Sequence, residues 1–124
     1  MNVKAKLLLI DDDEAALALL EAKLGSRYAL VKTSQPEDVL RLVRESKPDL
    51  ILCDIEMPGI DGGDLSAMLF GRDDTRSIPL VYLTALVSPE ALRAQGGQLG
   101  GRAAVSKDSP LEDIVARIEA SLGA

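Results

Sequence analysis

The segment LLLIDDDEAA (residues 7–16) sets four apolar side chains directly against three aspartates. Leu7 to Ile10 is a continuous apolar run, the pattern of a strand covered on both faces rather than on one. Beyond the aspartates, Leu17, Leu20 and Leu24 recur at helical spacing, with Gly25 as a stop. A buried strand therefore runs straight into a helix, and three carboxylates crowd the junction. Two carboxylates about 4 Å apart repel by roughly 4 kcal/mol at an effective dielectric near 20. Something must offset that repulsion.

Outward from this junction the same unit recurs. Tyr28 to Lys32 predicts a second, shorter strand, and Pro36 opens a helical segment with Val39, Leu42 and Val43 as its buried stripe before Pro48. Leu50 to Cys53 is a third apolar run, ending at Asp54; a turn with Pro58, Gly59 and Gly62 leads to a helix carrying Leu65, Met68 and Leu69. Leu80 to Leu83 predicts the fourth strand. Residues 89–95 suit a short helix, weakened by Gly96, Gly97, Gly100 and Gly101. Ala103 to Val105 is a weak fifth strand, and Leu111, Ile114, Val115, Ile118 and Leu122 mark the clearest amphipathic helix. Strands alternating with helices predict an α/β fold, a parallel sheet with right-handed crossovers and helices on both faces. Spacing alone leaves the strand order open. The chain of 124 residues reads as one domain, residues 1–124, large enough for a single core.

Composition narrows the function. Hydrophobic residues at 47% and charged residues at 27% fit a folded, water-soluble domain. No apolar run approaches the roughly 18 residues that span a bilayer, and residues 1–13 lack a signal peptide's features, so no membrane association is expected. The single cysteine, Cys53, permits no internal disulfide and fits a cytoplasmic location. A net charge of −6 weighs against direct nucleic-acid binding. The absence of histidine removes imidazole as base, metal ligand or phosphate carrier.

Ligands of open parallel sheets bind beyond the carboxyl ends of the strands. That edge carries Asp11, Asp12 and Asp13 after the first strand, Asp54 after the third, Thr84 after the fourth, and Ser106 and Lys107 after the fifth. Each has an ordinary explanation alone: aspartates before a helix cap it, Asp54 opens a turn, Thr84 caps the next helix, and Lys107 is a solvated lysine. Together they place carboxylates, a hydroxyl and an amine on one edge of one sheet.

The stretches LLLIDDDEAALALL, KPDLILCDIEMPGIDGGDL, IPLVYLTAL and VSKDSPLEDIVARI follow one another in the order and spacing of a known family. On them the chain resembles the receiver domains of two-component response regulators, of the chemotaxis-regulator type. The resemblance implies the flavodoxin-like doubly wound sheet of five parallel strands in the order 2-1-3-4-5. By position, it implies that Asp54 accepts a phosphoryl group from a sensor histidine kinase or phosphotransfer protein, as a signalling switch and not an enzyme. Mg²⁺ would be held by Asp12, Asp54 and the main-chain carbonyl of Glu56, with Asp11 on a coordinated water; such a hard cation takes oxygen ligands and would offset the carboxylate repulsion. Thr84 with the Ala85 amide, and Lys107, would contact the phosphoryl oxygens, and an unidentified downstream protein would read the switch. Asp13, one step past the pair, is expected to cap the first helix, with Cys53, Met57 and Met68 in the core and Asp73–Asp74 in a solvated turn.

Three positions depart from the family pattern. Ala104 stands where an aromatic switch residue is usual, three residues before the lysine. Asp108 replaces the usual proline after Lys107, so a cis bond is not expected there. GGQLGG (residues 96–101) replaces a firm fourth helix, as either a loop or a segment that orders on a partner. Ala104 keeps a rival in view: a pseudo-receiver, docking proteins without regulated phosphorylation. A haloacid-dehalogenase-type phosphatase fits less well, because Glu56 stands where that chemistry uses a second aspartate. An FMN-binding flavodoxin also fits poorly, because its first loop should be rich in hydroxyls and glycine and here it is acidic.

Overall fold

The computed structural model describes residues 4–57 and 62–123. Pro58 and Gly59 of the expected turn, and the first three residues, lie outside the described residues. Strand β1 (Lys6–Ile10) leads to helix α1 (Glu14–Leu24), β2 (Ala29–Thr33), a short 3₁₀ turn (Pro36–Asp38) and α2 (Val39–Ser46). Then follow β3 (Leu50–Asp54), α3 (Gly62–Phe70), β4 (Leu80–Thr84), α4 (Pro89–Ala94), β5 (Gln98–Leu99), β6 (Arg102–Ser106) and α5 (Leu111–Leu122). The sheet order is β2-β1-β3-β4-β6-β5. All pairs are parallel except β5 with β6. The five principal strands thus take the expected order, with β6 as the predicted fifth.

The apolar runs are explained by the two faces they serve. Leu8, Ile10, Ile51, Cys53, Leu80, Tyr82 and Ala104 pack with Val39, Val43, Leu65, Leu69 and Leu92 from α2, α3 and α4. Leu7, Leu9, Leu50, Leu52, Val81, Leu83 and Val105 point the other way, onto Leu17 and Leu24 of α1 and Ile114 and Ile118 of α5. Successive strand residues face opposite sides of the sheet, so a strand buried twice over must be apolar at every position. Cys53 and Met57 are buried in the first layer and Met68 packs against it, as their core roles required. The thiol of Cys53 is pushed up to about 12 by burial and by the charges of Asp54 and Asp11, which makes it inert.

Local chemistry sets the ends of the elements. Asp13 is the N-cap of α1, its carboxylate accepting from the Ala15 and Ala16 amides at 2.9 and 3.4 Å. Gly25 ends that helix without a left-handed turn; a Cβ there would stand 2.7 Å from the Glu21 carbonyl oxygen. Asp73 and Asp74 form a turn as expected, though its charges are paired: Asp74 with Arg44 and Arg72, Asp73 with Arg76.

The sheet differs from expectation at one edge. The glycine-rich segment is not a plain loop: Gln98–Leu99 fold back on Arg102–Ala103 as a two-residue antiparallel ladder. The connecting pair Gly100 and Gly101 has φ of +57° and +80°, which a two-residue hairpin turn of the primed kind requires and which side chains with a Cβ adopt poorly. Arg102 lies over the Phe70 ring at 3.6 Å, tying the hairpin to the end of α3. All described peptide bonds are trans, including Lys107–Asp108.

Candidate functional site

Adjacent parallel strands bring the predicted residues to one edge. Ile10 pairs with Cys53, Asp54 with Leu83, and Thr84 with Ser106. Asp11, Asp54, Thr84 and Lys107 therefore leave four neighbouring strands at nearly one level, and the Lys107 amide donates to the Thr84 carbonyl at 2.7 Å.

Asp11 is 1% exposed and Asp54 6% exposed, so two of the carboxylates are almost fully withdrawn from water, while Asp12 is exposed. Oxygens of Asp11, Asp12 and Asp54 all lie within 4.8 Å of one another. Asp11 accepts from the Asp13 amide at 3.0 Å and from Lys107 Nζ at 2.6 Å. Lys107 Nζ also stands 3.6 Å from Asp54 Oδ2, and Asp54 Oδ1 accepts from the Glu56 amide at 3.2 Å. Among the described residues, a single ammonium bridges two buried carboxylates.

The electrostatics follow from that crowding. Burial pushes the Asp54 carboxyl up to about 6, and the neighbouring Asp11 charge adds to it, against the lowering by the Glu56 amide and Lys107. Burial would lower the Lys107 ammonium, but the hydrogen bond to Asp11 and the charges of both aspartates outweigh it and raise it. The mutual repulsion of the Asp11 and Asp54 carboxylates favours a positive charge between them. The donor set is all oxygen, from three carboxylates clustered in one place, which fits a hard divalent cation and not a soft or borderline metal.

Thr84 is 1% exposed. Its Oγ1 accepts from the Leu86 amide at 3.1 Å and donates to Glu56 Oε1 at 3.3 Å. Ala85 follows it at the exposed end of β4. Asp11, Asp12, Asp54 and Lys107 thus meet in one cluster, Thr84 is tied to it through Glu56, and Ser106 instead accepts from the Asp108 amide. Two contacts had not been legible. Reading Glu56 only through its main-chain carbonyl missed its side-chain bond to Thr84, and reading Lys107 only toward a phosphoryl group missed its pairing with Asp11. No sequence signal marks either, because both depend on strand register.

The family model for the response regulator receiver domain matches residues 7–119. The response regulator PleD of Caulobacter vibrioides is 37% identical over 114 residues, which are 91% of this chain and 24% of that protein. The polar-differentiation response regulator DivK of Brucella anthropi is 30% identical over 120 residues, 94% of each chain. The chain thus spans about a quarter of the one relative and nearly all of the other. A crystal structure of a response regulator from Chloroflexus aurantiacus superposes with a TM-score of 0.82 at 28% identity, covering 98% of this chain and 100% of that one.

Proposed function

The chain belongs to the response regulator receiver domain family, and from that premise we propose that it accepts a phosphoryl group on Asp54 from a phosphohistidine donor. The observation that carries this reading is the single cluster of Asp11, Asp12, Asp54, Thr84 and Lys107 at one sheet edge, with Asp54 buried yet within reach of an ammonium. The carboxylate of Asp54 attacks phosphorus, one P–O bond forms, and the P–N bond to the donor imidazole breaks. Lys107 neutralises charge on one phosphoryl oxygen, and the Thr84 hydroxyl and Ala85 amide donate to another. To reach the phosphoryl group, Lys107 Nζ exchanges its bond to Asp11 for one to the incoming oxygen. Asp12, Asp54 and the Glu56 carbonyl would hold Mg²⁺, with Asp11 on a coordinated water, and the ion would supply charge neutralisation for the carboxylates and the phosphoryl group.

The partners of this reading are a sensor histidine kinase or phosphotransfer protein upstream and a protein target downstream, acting in the cytoplasm as a switch. The unit is one receiver domain over residues 1–124. Among the described residues no helix is long and apolar enough to cross a membrane. The pseudo-receiver reading draws on one observation, the buried Ala104 in place of a ring that could rotate. Incubation with Mg²⁺ and acetyl phosphate, followed by intact mass, separates the two. One added phosphoryl group, absent in Asp54→Ala, is expected; an unmodified parent chain would favour the docking module.

A further inference from the structure

The Thr84 hydroxyl carries one proton, and in this structure that proton goes to Glu56. Its oxygen accepts from the Leu86 amide at 3.1 Å, while the hydroxyl donates to Glu56 Oε1 at 3.3 Å. Both capacities are therefore engaged inside the protein. A hydroxyl that must donate to a phosphoryl oxygen has to leave its present acceptor first, because one O–H cannot serve two acceptors at full strength. We infer that the Glu56 side chain is a latch: it holds the Thr84 hydroxyl in the unmodified state, and its release is what frees Thr84 for the phosphoryl group. This inference rests on the phospho-accepting reading and adds to it a positioning residue on the neighbouring loop.

Three features suit Glu56 to that role. At 3.3 Å the bond is long for an O–H donor, so it is readily exchanged. The Glu56 side chain is exposed, so its carboxylate finds water the moment it lets go and leaves no buried charge behind. Lastly, the Glu56 amide donates to Asp54 Oδ1 at 3.2 Å, so the latch is anchored to the accepting carboxylate itself. A phosphoryl group on Asp54 adds negative charge beside the Glu56 carboxylate and repels it, while offering Thr84 a more highly charged acceptor. The same event opens the latch and rewards its opening. Coupling of this kind passes through a change of hydrogen-bond partner and needs no ring at Ala104.

A double-mutant cycle on the full chain tests it, with beryllofluoride as the acyl-phosphate mimic at saturating Mg²⁺. Glu56→Ala in the parent background should tighten beryllofluoride binding by about twofold to threefold, the low end of the factor for one net hydrogen bond, as its length requires. Glu56→Gln, which keeps an acceptor, should fall between. In a Thr84→Ala background most of the gain from Glu56→Ala should vanish, because no latch is left to open. A gain of equal size in both backgrounds would mean that Glu56 acts by its charge alone and would overturn the latch while leaving the phospho-accepting reading intact. A parent protein that binds no beryllofluoride would overturn both. A second measurement needs no ligand: three-bond couplings of the Thr84 side chain should show a broader χ1 distribution in Glu56→Ala than in the parent. An unchanged distribution would also overturn the latch.

Discussion

The two halves of the acidic edge are built differently. On the β1–β3 half, Asp11 and Asp54 extend from strands buried on both faces, and each carboxylate is fixed by an amide two residues on. On the β4–β6 half, Thr84 and Lys107 stand at the ends of equally well-paired strands. The surroundings there are a six-residue α4, four glycines at positive φ, a two-residue hairpin and Ala104 with no ring. One half is arranged to hold charge in a fixed place, and the other adjoins backbone that rearranges at low cost. On the proposed reading, capture of the phosphoryl group and transmission of the signal would be carried by different physical means, and each could be disturbed without the other.

The largest effect should come from removing the group that links the halves. Lys107→Ala takes away the only ammonium seen to contact Asp11 and Asp54 among the described residues. Phosphorylation by acetyl phosphate should slow by about a hundredfold, the usual loss for one charge-stabilising group. Mg²⁺ titration should show affinity equal to or tighter than that of the parent, since Asp11 is released from its ion pair. A variant modified at the parental rate would place Lys107 outside the capture half.

Proton binding by Asp54 sharpens the same comparison. Its folded value, about 6, lies above the ordinary 3.8, so between these values the folded state keeps a proton that the unfolded state has released. Its contribution to stability is full below about pH 4 and is lost as the pH rises through 6, amounting to at most about 3 kcal/mol. Denaturant midpoints in chelator should carry that downward component across this window, and Asp54→Asn should remove it. If the parent and Asp54→Asn show the same pH profile, Asp54 is not raised on folding.

Divalent metal should act on the capture half alone. At tenfold above its dissociation constant, Mg²⁺ should stabilise the fold by about 1.4 kcal/mol and raise the melting temperature by a few degrees. Asp12→Ala should lose that shift while being no less stable without metal, because it relieves repulsion. A melting temperature indifferent to millimolar Mg²⁺ would remove the metal from the account.

The smallest effect belongs to the response half. Gly100 has φ of +57° with nothing within 4 Å of where a Cβ would sit, so Gly100→Ala carries only the backbone penalty of about 1 kcal/mol. The change in hydrogen exchange produced by beryllofluoride should differ between Gly100→Ala and the parent over residues 84–102 and be the same in both at the acidic pocket. Parental changes confined to the pocket would mean that the glycine-rich segment transmits nothing.

The difference between the halves also sets what the sequence discloses. Leu7 to Ile10 and Leu50 to Cys53 are apolar at every position because both faces are covered, and that leaves a trace readable without coordinates. Asp13 was legible as a cap for the same local reason. The strand order was not written in the spacing and came from the resemblance to receiver domains. The β5–β6 hairpin escaped notice because two paired residues between glycines have no periodicity to read. The Glu56–Thr84 and Lys107–Asp11 contacts join residues 28 and 96 positions apart, and only strand register brings them together.

The central claim is that Asp54, and no other carboxylate of the cluster, takes the phosphoryl group. Borohydride reduction of protein treated with Mg²⁺ and acetyl phosphate, followed by peptide mass spectrometry, tests it most directly, since reduction converts an aspartyl phosphate to homoserine. Homoserine at position 54, with residues 11, 12 and 13 unchanged, is the predicted result. Conversion at Asp11 or Asp12, or at no residue of a protein that binds Mg²⁺, would contradict it.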